Sequence, residues 1–190
     1  MSKVLFACSK GTESAEFSVP YDILKRAGAD FELHFDEECN EPSGSIIYRP
    51  SELRPLYARK EEIPSMIDEI PALAVIAAAI PGESVFCGID ELKVKESDRA
   101  AAIIRLAKAM GAAASYAAST LRICGAGRHI CGLPEAAFDA GADHRMAMAA
   151  AAAQLHCPGL RLASAECVSK SYPGFFADFQ NTFGINPKFC

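Results

Sequence analysis

The stretch IPALAVIAAAIPG (70–82) contains no charged side chain and none that can hydrogen-bond, and prolines stand at both ends, Pro71 and Pro81. Proline is tolerated in the first turn of a helix and Pro-Gly stops one, so a helix is predicted from Pro71 to Ile80. A helix that is apolar on every side has to be buried on every side. A second stretch, HRMAMAAAAAQLH (144–156), is also apolar nearly throughout; Asp143 stands at its cap position and Cys157-Pro158-Gly159 ends it. A conventional parallel sheet buries its strands and leaves its helices amphipathic. Here the Ala-rich helices are the more buried partners, which points to an α/β fold with helices in the interior.

Outward from these helices the chain alternates between strand and helix signals. KVLFAC (3–8) reads as a strand and residues 9–16 as a polar loop. Pro20 is expected in the first turn of a helix that runs through YDILKRAGA and is capped by Gly28. FELHF (31–35) and SIIYRP (45–50) read as strands on either side of a polar loop, DEECNEPSG. A strand is expected over residues 84–88, and Ser97 is expected to cap a helix, DRAAAIIRLAKAM, closed by Gly111. Strands follow at 115–118, 120–124 and 160–163, and Pro173 is expected to start a last helix, GFFADFQNTF. LKRAGADFEL (24–33) and LAKAMGAAASY (106–116) share one plan: helix, basic residue, Ala/Met-Gly-Ala, strand. That echo predicts repeated α/β units.

The 190 residues carry 19 Lys+Arg against 24 Asp+Glu, a net charge of −5, with 51% hydrophobic and 23% charged residues. This is globular composition, long enough for one large domain or two small ones. Its acidic balance argues against a general nucleic-acid or membrane-surface binder. MSKVLFACSKG is expected to be a first strand and not a signal peptide, and residues 70–81 are too few to span a bilayer. The eight cysteines (8, 39, 87, 124, 131, 157, 167 and 190) are scattered, without a CxxC or a Cys/His cluster. They are expected to be reduced, mostly buried thiols of a cytoplasmic protein, and no metal site is expected.

Charge is dense at four places where a packed fold would normally avoid it. In PSMIDEIPALAV (64–75), Asp68 and Glu69 precede the most apolar helix, whose N-terminus stabilises a carboxylate by up to about 1 kcal/mol. A plain charge complement to that terminus explains them equally. In KVKESDR (93–99), Lys95, Glu96 and Arg99 lie at a strand-to-helix junction. Arg99 falls in a first turn, where a cation gains only if a carboxylate or a ligand anion joins it; the alternative is a solvated salt-bridge cluster. In GADHRMAMAAAAAQ (141–154), Arg145 enters a nearly polar-free helix and needs a partner, while His144 is either a phosphate donor or a surface histidine. In AECVSKSYPGFF (165–176), Lys170 stands in a short loop, where solvent exposure is the plain alternative. Three cations and two carboxylates would suit a ligand with two anionic groups, the carboxylates moving protons beside it. Spacing alone does not bring them together.

RPSEL (49–53), PSMIDEIPALAV, ELKVKESDR (91–99), DHRMAMA (143–149) and AECVSKSYPGFF together resemble the C-terminal half of the EPSP synthase (3-phosphoshikimate 1-carboxyvinyltransferase) family, in its order and at about its spacing. The resemblance implies an inverted α/β domain of three βαβαββ units with buried helices, over residues 1–190 as a single domain. It implies addition of the 5-hydroxyl of shikimate 3-phosphate to C2 of phosphoenolpyruvate, protonation at C3, and expulsion of phosphate, with no metal or organic cofactor. Asp68 then matches the carboxylate beside the 5-hydroxyl, and Glu96 the one that exchanges a proton with the methylene. Lys95 matches a contact to shikimate 3-phosphate. Arg99, Arg145 and Lys170 match the clamp on phosphoenolpyruvate, where glyphosate also sits, and His144 matches a neighbour of that clamp. The family binds its substrates between two such domains. No N-terminal half is found here, so a separate partner chain or self-association is expected; a non-catalytic anion-binding domain or a decayed relative are the alternatives. The first ~35 residues also resemble the opening unit of the ThiJ/PfpI superfamily, with Glu16 as its loop glutamate and Cys87 or Cys124 as the nucleophile. The UDP-N-acetylglucosamine enolpyruvyl transferases are a weaker match.

Overall fold

The computed structural model describes residues 14–36, 43–49, 51–125, 127 and 136–190. The strand expected at 3–8 and the middle of the loop at 36–44 lie outside them. In chain order the described elements are α1 (Ser14–Arg26), β1 (Asp30–Asp36), β2 (Ser43–Arg49), β3 (Tyr57–Ala58), α2 (Ile70–Ala79), β4 (Gly82–Cys87), α3 (Arg99–Ala109), β5 (Ala113–Ala117), β6 (Thr120–Gly125), β7 (Ala136–Asp139), α4 (His144–Ala153), β8 (Leu160–Ala163) and α5 (Phe175–Phe183). Short 3₁₀ turns at Ile63–Met66, Asp90–Val94 and Ala165–Lys170 lead into or out of the helices.

From β3 to β6 the order is βαβαββ, one complete unit of the expected repeat. Its sheet runs β3-β4-β6-β5, with β3 and β4 parallel and the other neighbours antiparallel. Before this unit in the chain come α1 and the antiparallel pair β1–β2; after it come β7, α4, β8 (parallel to β7) and α5. The described residues thus hold one whole unit between two partial ones, where three were expected. The echo between 24–33 and 106–116 is real in space. Both segments are the end of a helix, a glycine at positive φ (98° at Gly28, 82° at Gly111), and the first strand of an antiparallel pair. Glycine suits that position because a Cβ would strain it.

Burial follows the patterning. Seven of the ten residues of α2 and six of the ten of α4 are buried. α2, α3 and α4 pack against one another, and α2 packs against β6. In β6, Leu121, Ile123 and Gly125 face inward while Arg122 and Cys124 face water. The sheet therefore keeps one wet face, and alanines let the helices approach closely at the centre. Among the described residues no helix is long and apolar enough to cross a membrane.

Several sequence expectations are corrected. α1 begins at Ser14, so Pro20 lies inside the helix rather than in its first turn and forgoes one backbone hydrogen bond there. The cap of α3 is Asp98, whose side chain accepts from the Ala101 N–H, and not Ser97. β3, β7 and the 3₁₀ turns went unread because two to six residues carry too little periodicity to register. Of the five described thiols only Cys157 and Cys167 are buried; Cys87 is half-buried, and Cys124 and Cys190 are exposed.

β5 and β6 are joined by two residues, Ala118 and Ser119, at φ 48° and 60°. Both central residues of such a hairpin turn need positive φ, which L side chains adopt at a cost. The Ser119 carbonyl accepts from the N–H groups of Gly88 and Ile89 at 2.7 and 3.1 Å, which offsets part of that cost. Ala118→Gly is expected to stabilise the protein by about 0.5–1 kcal/mol, the steric relief exceeding the glycine entropy term. A thermal melt reads this as a rise of about 1–4 °C; a lower midpoint would refute the strain.

Candidate functional site

Three segments remote in sequence bring their charges to one place. The first is the turn Ile67-Asp68-Glu69 between the 3₁₀ turn Ile63–Met66 and α2. The second is the segment from Lys95 to the start of α3, and the third is the start of α4. Asp68 lies at the meeting point. It receives Arg99 Nη1 at 2.6 Å, Arg145 Nη2 at 3.3 Å and Lys95 Nζ at 3.5 Å. Glu69 stands at the cap position of α2 but makes no cap bond. Its carboxylate meets Arg145 Nη1 at 3.3 Å, and the same nitrogen donates to the Asp68 carbonyl at 3.1 Å. These two carboxylates therefore answer specific cations, not the helix terminus alone.

Arg99 is the hub. Its side chain is 1% exposed, and each guanidinium nitrogen faces a carboxylate: Nε to Asp143 at 2.7 Å, Nη1 to Asp68, and Nη2 to Glu96. The first-turn cation that needed an anion has three. Asp143 divides its two oxygens between two tasks. Oδ1 accepts the N–H groups of Arg145 and Met146 at 3.0 and 3.3 Å and so caps α4. Oδ2 accepts Arg99 Nε and the Ser97 hydroxyl, the latter at 2.9 Å. Ser97, expected as a cap, thus braces the carboxylate instead.

Burial pushes the Asp68 carboxyl up, but Arg145, Arg99 and Lys95 outweigh it and hold it below the ordinary range. Burial acts the same way on Asp143, where Arg99 and Ser97 outweigh it. Burial would lower Arg99, and its carboxylates carry it above its ordinary value instead. Depressed carboxylates contribute stability that is present above their unfolded pKa and is lost as pH falls through the folded one. Stability is therefore expected to be flat from neutrality down to about pH 4 and to fall steeply below it. Urea midpoints against pH measure this; a decline beginning near pH 6 would assign the acid sensitivity to other groups.

Lys170 ends the 3₁₀ turn Ala165–Lys170, which packs on α4. Burial raises the Cys167 thiol, the charges of Glu166 and Asp143 raise it further, and Lys170 lowers it. Asp143 and Lys170 therefore both lie within electrostatic reach of one buried sulfur. Among the described residues neither Lys170 nor His144 makes an ion pair or hydrogen bond, and His144 is half-buried at the start of α4. Of the seven expected site residues, Asp68, Lys95, Glu96, Arg99 and Arg145 are joined in one network of ion pairs; Lys170 is exposed on the 3₁₀ turn that packs on α4, and His144 makes no hydrogen bond or ion pair with any of them.

The sequence missed two participants. Asp143 was read only as a cap, because a cap signal engages one carboxylate oxygen and says nothing of the other. Glu69 was seen beside Asp68 without a partner, since its partner lies on α4, 76 residues away. Arg99, expected in the clamp, is 1% exposed and already has a carboxylate on each guanidinium nitrogen. Among the described residues neither expected thiol stands at a strand-to-helix elbow. Cys87 ends β4 and is followed by Gly88 and Ile89, Cys124 lies inside β6, and Glu16 lies in α1 instead of a loop.

A model of the EPSP synthase (3-phosphoshikimate 1-carboxyvinyltransferase) family matches residues 10–179. Among curated relatives, the 3-phosphoshikimate 1-carboxyvinyltransferase of Caldicellulosiruptor bescii is 38% identical over 157 residues, which is 82% of this chain and 36% of that protein. The enzyme of the same name from a Synechococcus species is 39% identical over 169 residues, 87% of this chain and 36% of that one. A solved EPSP synthase from Acinetobacter baumannii superposes with a TM-score of 0.79 at 29% identity, over 93% of this chain and 40% of that one. The chain thus spans about a third of the length of the curated relatives it matches.

Proposed function

The chain belongs to the EPSP synthase family, and from that membership we propose that residues 1–190 are a single domain supplying one half of an enolpyruvyl transferase active site. The substrates are phosphoenolpyruvate and shikimate 3-phosphate, taken up in the cytoplasm. The observation that carries this reading is the convergence of Lys95, Arg99 and Arg145 on Asp68, with Glu96 on Arg99, from segments that the resemblance matched independently.

Each group has a role that its surroundings support. Arg145 and Lys170 meet the carboxylate and phosphate of phosphoenolpyruvate, and a planar guanidinium group suits both. Lys95 reaches toward shikimate 3-phosphate. Asp68 stands where the 5-hydroxyl would give up its proton as its oxygen bonds to C2. Glu96 exchanges a proton with C3: it gives one when the bond to C2 forms and takes one back as phosphate leaves. Arg99 holds both carboxylates in position and, being preorganised, stabilises the charge that moves onto phosphate. His144 neighbours the clamp.

Positioning both substrates needs walls on both sides, and alignment contributes several kcal/mol to such a rate (~7 or more). The other wall comes from a separate N-terminal half or from a second copy of this chain. Turnover is measured as phosphate release from the two substrates, with and without an added N-terminal half of a relative. Release only when the halves are mixed is the expected result. Substrate binding without turnover in the mixture would reduce the function to anion binding, and neither binding nor turnover would end the assignment.

A further inference from the structure

The complete unit and the last one match element for element as far as α5. β3, α2, β4, the 3₁₀ turn Asp90–Val94 and α3 have their counterparts in β7, α4, β8, the 3₁₀ turn Ala165–Lys170 and α5. In the complete unit β6 then lies antiparallel beside β4 and packs on α2. Asp68 and Glu69 precede α2, and β4 leads to Lys95, Glu96 and Arg99, so β6 closes the scaffold that carries those charges. Among the described residues no strand pair follows α5. The place beside β8 that matches β6 is taken by residues 188–190 instead.

These three residues are firmly held. Phe189 bridges Leu162 in parallel. The Leu162 N–H donates to the Lys188 carbonyl at 2.9 Å, and the Cys190 N–H to the Leu162 carbonyl at 3.1 Å. Gln154, 2% exposed at the end of α4, grips Lys188 with both atoms of its amide. Its Nε2 donates to the Lys188 carbonyl and its Oε1 accepts the Lys188 N–H, both at 2.8 Å. Lys188 Nζ donates to the Pro158 carbonyl, between α4 and β8, at 2.7 Å. The Phe189 ring, 43% exposed, meets Phe176 of α5 edge-on at 5.1 Å. The segment thus straps the end of α4 to β8. It lies beyond residues 10–179, the stretch that the family model matches.

α4 carries Arg145 in its first turn, and β8 runs into the 3₁₀ turn that ends at Lys170. These are the two cations assigned above to phosphoenolpyruvate. A ligand that touches both binds at lower ordering cost when α4 and β8 are already fixed to each other. We infer that residues 188–190 are a positioning strap seated by Gln154, and that strap seating and phosphoenolpyruvate binding reinforce each other. Gln154 itself touches no substrate: it stands about 14 Å from Arg145 along the helix axis. The inference rests on the anion-site reading above and adds a coupling to it, which must act equally in both directions.

Hydrogen exchange of the intact chain, read at single amides by NMR with and without saturating phosphoenolpyruvate, measures one direction. The Leu162 and Cys190 N–H groups are expected to exchange about 5–10-fold more slowly with ligand bound. The amides between β5 and β6, which the strap does not touch, are expected to keep their rates. Affinity measures the other direction. Gln154→Met keeps the length of the side chain and loses both bonds, and is expected to weaken phosphoenolpyruvate binding by about 5–10-fold. Phe189→Ala removes only a half-exposed ring, leaves the core intact, and is expected to weaken binding in the same direction. Unchanged exchange at Leu162 and Cys190 on binding, slowing spread evenly over the whole chain, or full affinity in Phe189→Ala would overturn the inference and leave the anion site standing. No phosphoenolpyruvate binding by the unaltered chain would remove both.

Discussion

Asp143→Ala is expected to destabilise the protein by about 4 kcal/mol, enough to unfold much of a marginally stable domain. Two losses combine. Removing the carboxylate strips one partner from Arg99, whose side chain is 1% exposed and cannot recover that interaction from water. Breaking a buried pair in this way costs about 3–5 kcal/mol; Asp68 and Glu96 remain on Arg99, which puts the loss at the lower end. The second loss is the cap of α4, about 1 kcal/mol. Asp143→Asn separates the two, because asparagine caps as well as aspartate but turns an amide toward Arg99 Nε and Ser97. Asn is expected to be about 1 kcal/mol less damaging than Ala in urea unfolding. Equal losses for Ala and Asn would mean that the cap contributes nothing, and a loss below about 1 kcal/mol for both would mean that Arg99 does not depend on Asp143.

Gly125→Ala is the second large effect, and it acts through space rather than charge. Gly125 ends β6 against the last turn of α2. A Cβ there would lie 2.0 Å from the Ile80 carbonyl oxygen, 2.4 Å from that of Ala77 and 2.9 Å from that of Ala78. None of these atoms belongs to a flexible side chain, so the strand and the helix would have to separate. Overpacking of this kind costs about 1–3 kcal/mol and occasionally more, and backbone on both sides of the clash puts this substitution at about 3 kcal/mol. Gly141→Ala is the control. Nothing lies within 4 Å of its Cβ position, although its φ is 62°, so the cost there is backbone strain alone, about 1 kcal/mol. Melting points that fall equally for both would contradict the close approach of β6 to α2.

Physical reasons decided which parts of this molecule were legible. α2 and α4 could be read because a helix without polar residues has only one place to go. The repeat at 24–33 and 106–116 could be read because both copies end a helix on a glycine at positive φ, which leaves a mark in sequence. α1 was placed too late because Pro20 imitates a helix start, and β3 was missed because two residues have no period. In the site, residue types announced that charge sat where a fold resists it, and the motifs supplied the order. The network itself was not legible. That Asp143 also holds Arg99, that Asp68 meets Arg99, and that Glu69 turns from its own helix to Arg145 depend on pairs 31 to 76 residues apart.

We propose that Arg145 and Lys170 face one anion site, while Arg99, 1% exposed, stays closed to solvent. The most direct measurement is residue-by-residue mass spectrometry of arginine and lysine modification, with and without millimolar phosphoenolpyruvate. Arg145 and Lys170 are expected to be modified in the free protein and protected together, at the same ligand concentration, with Arg99 unreactive in both states. Modification of Arg145 and Lys170 at unchanged rates, or protection of the two at different concentrations, would contradict a shared site.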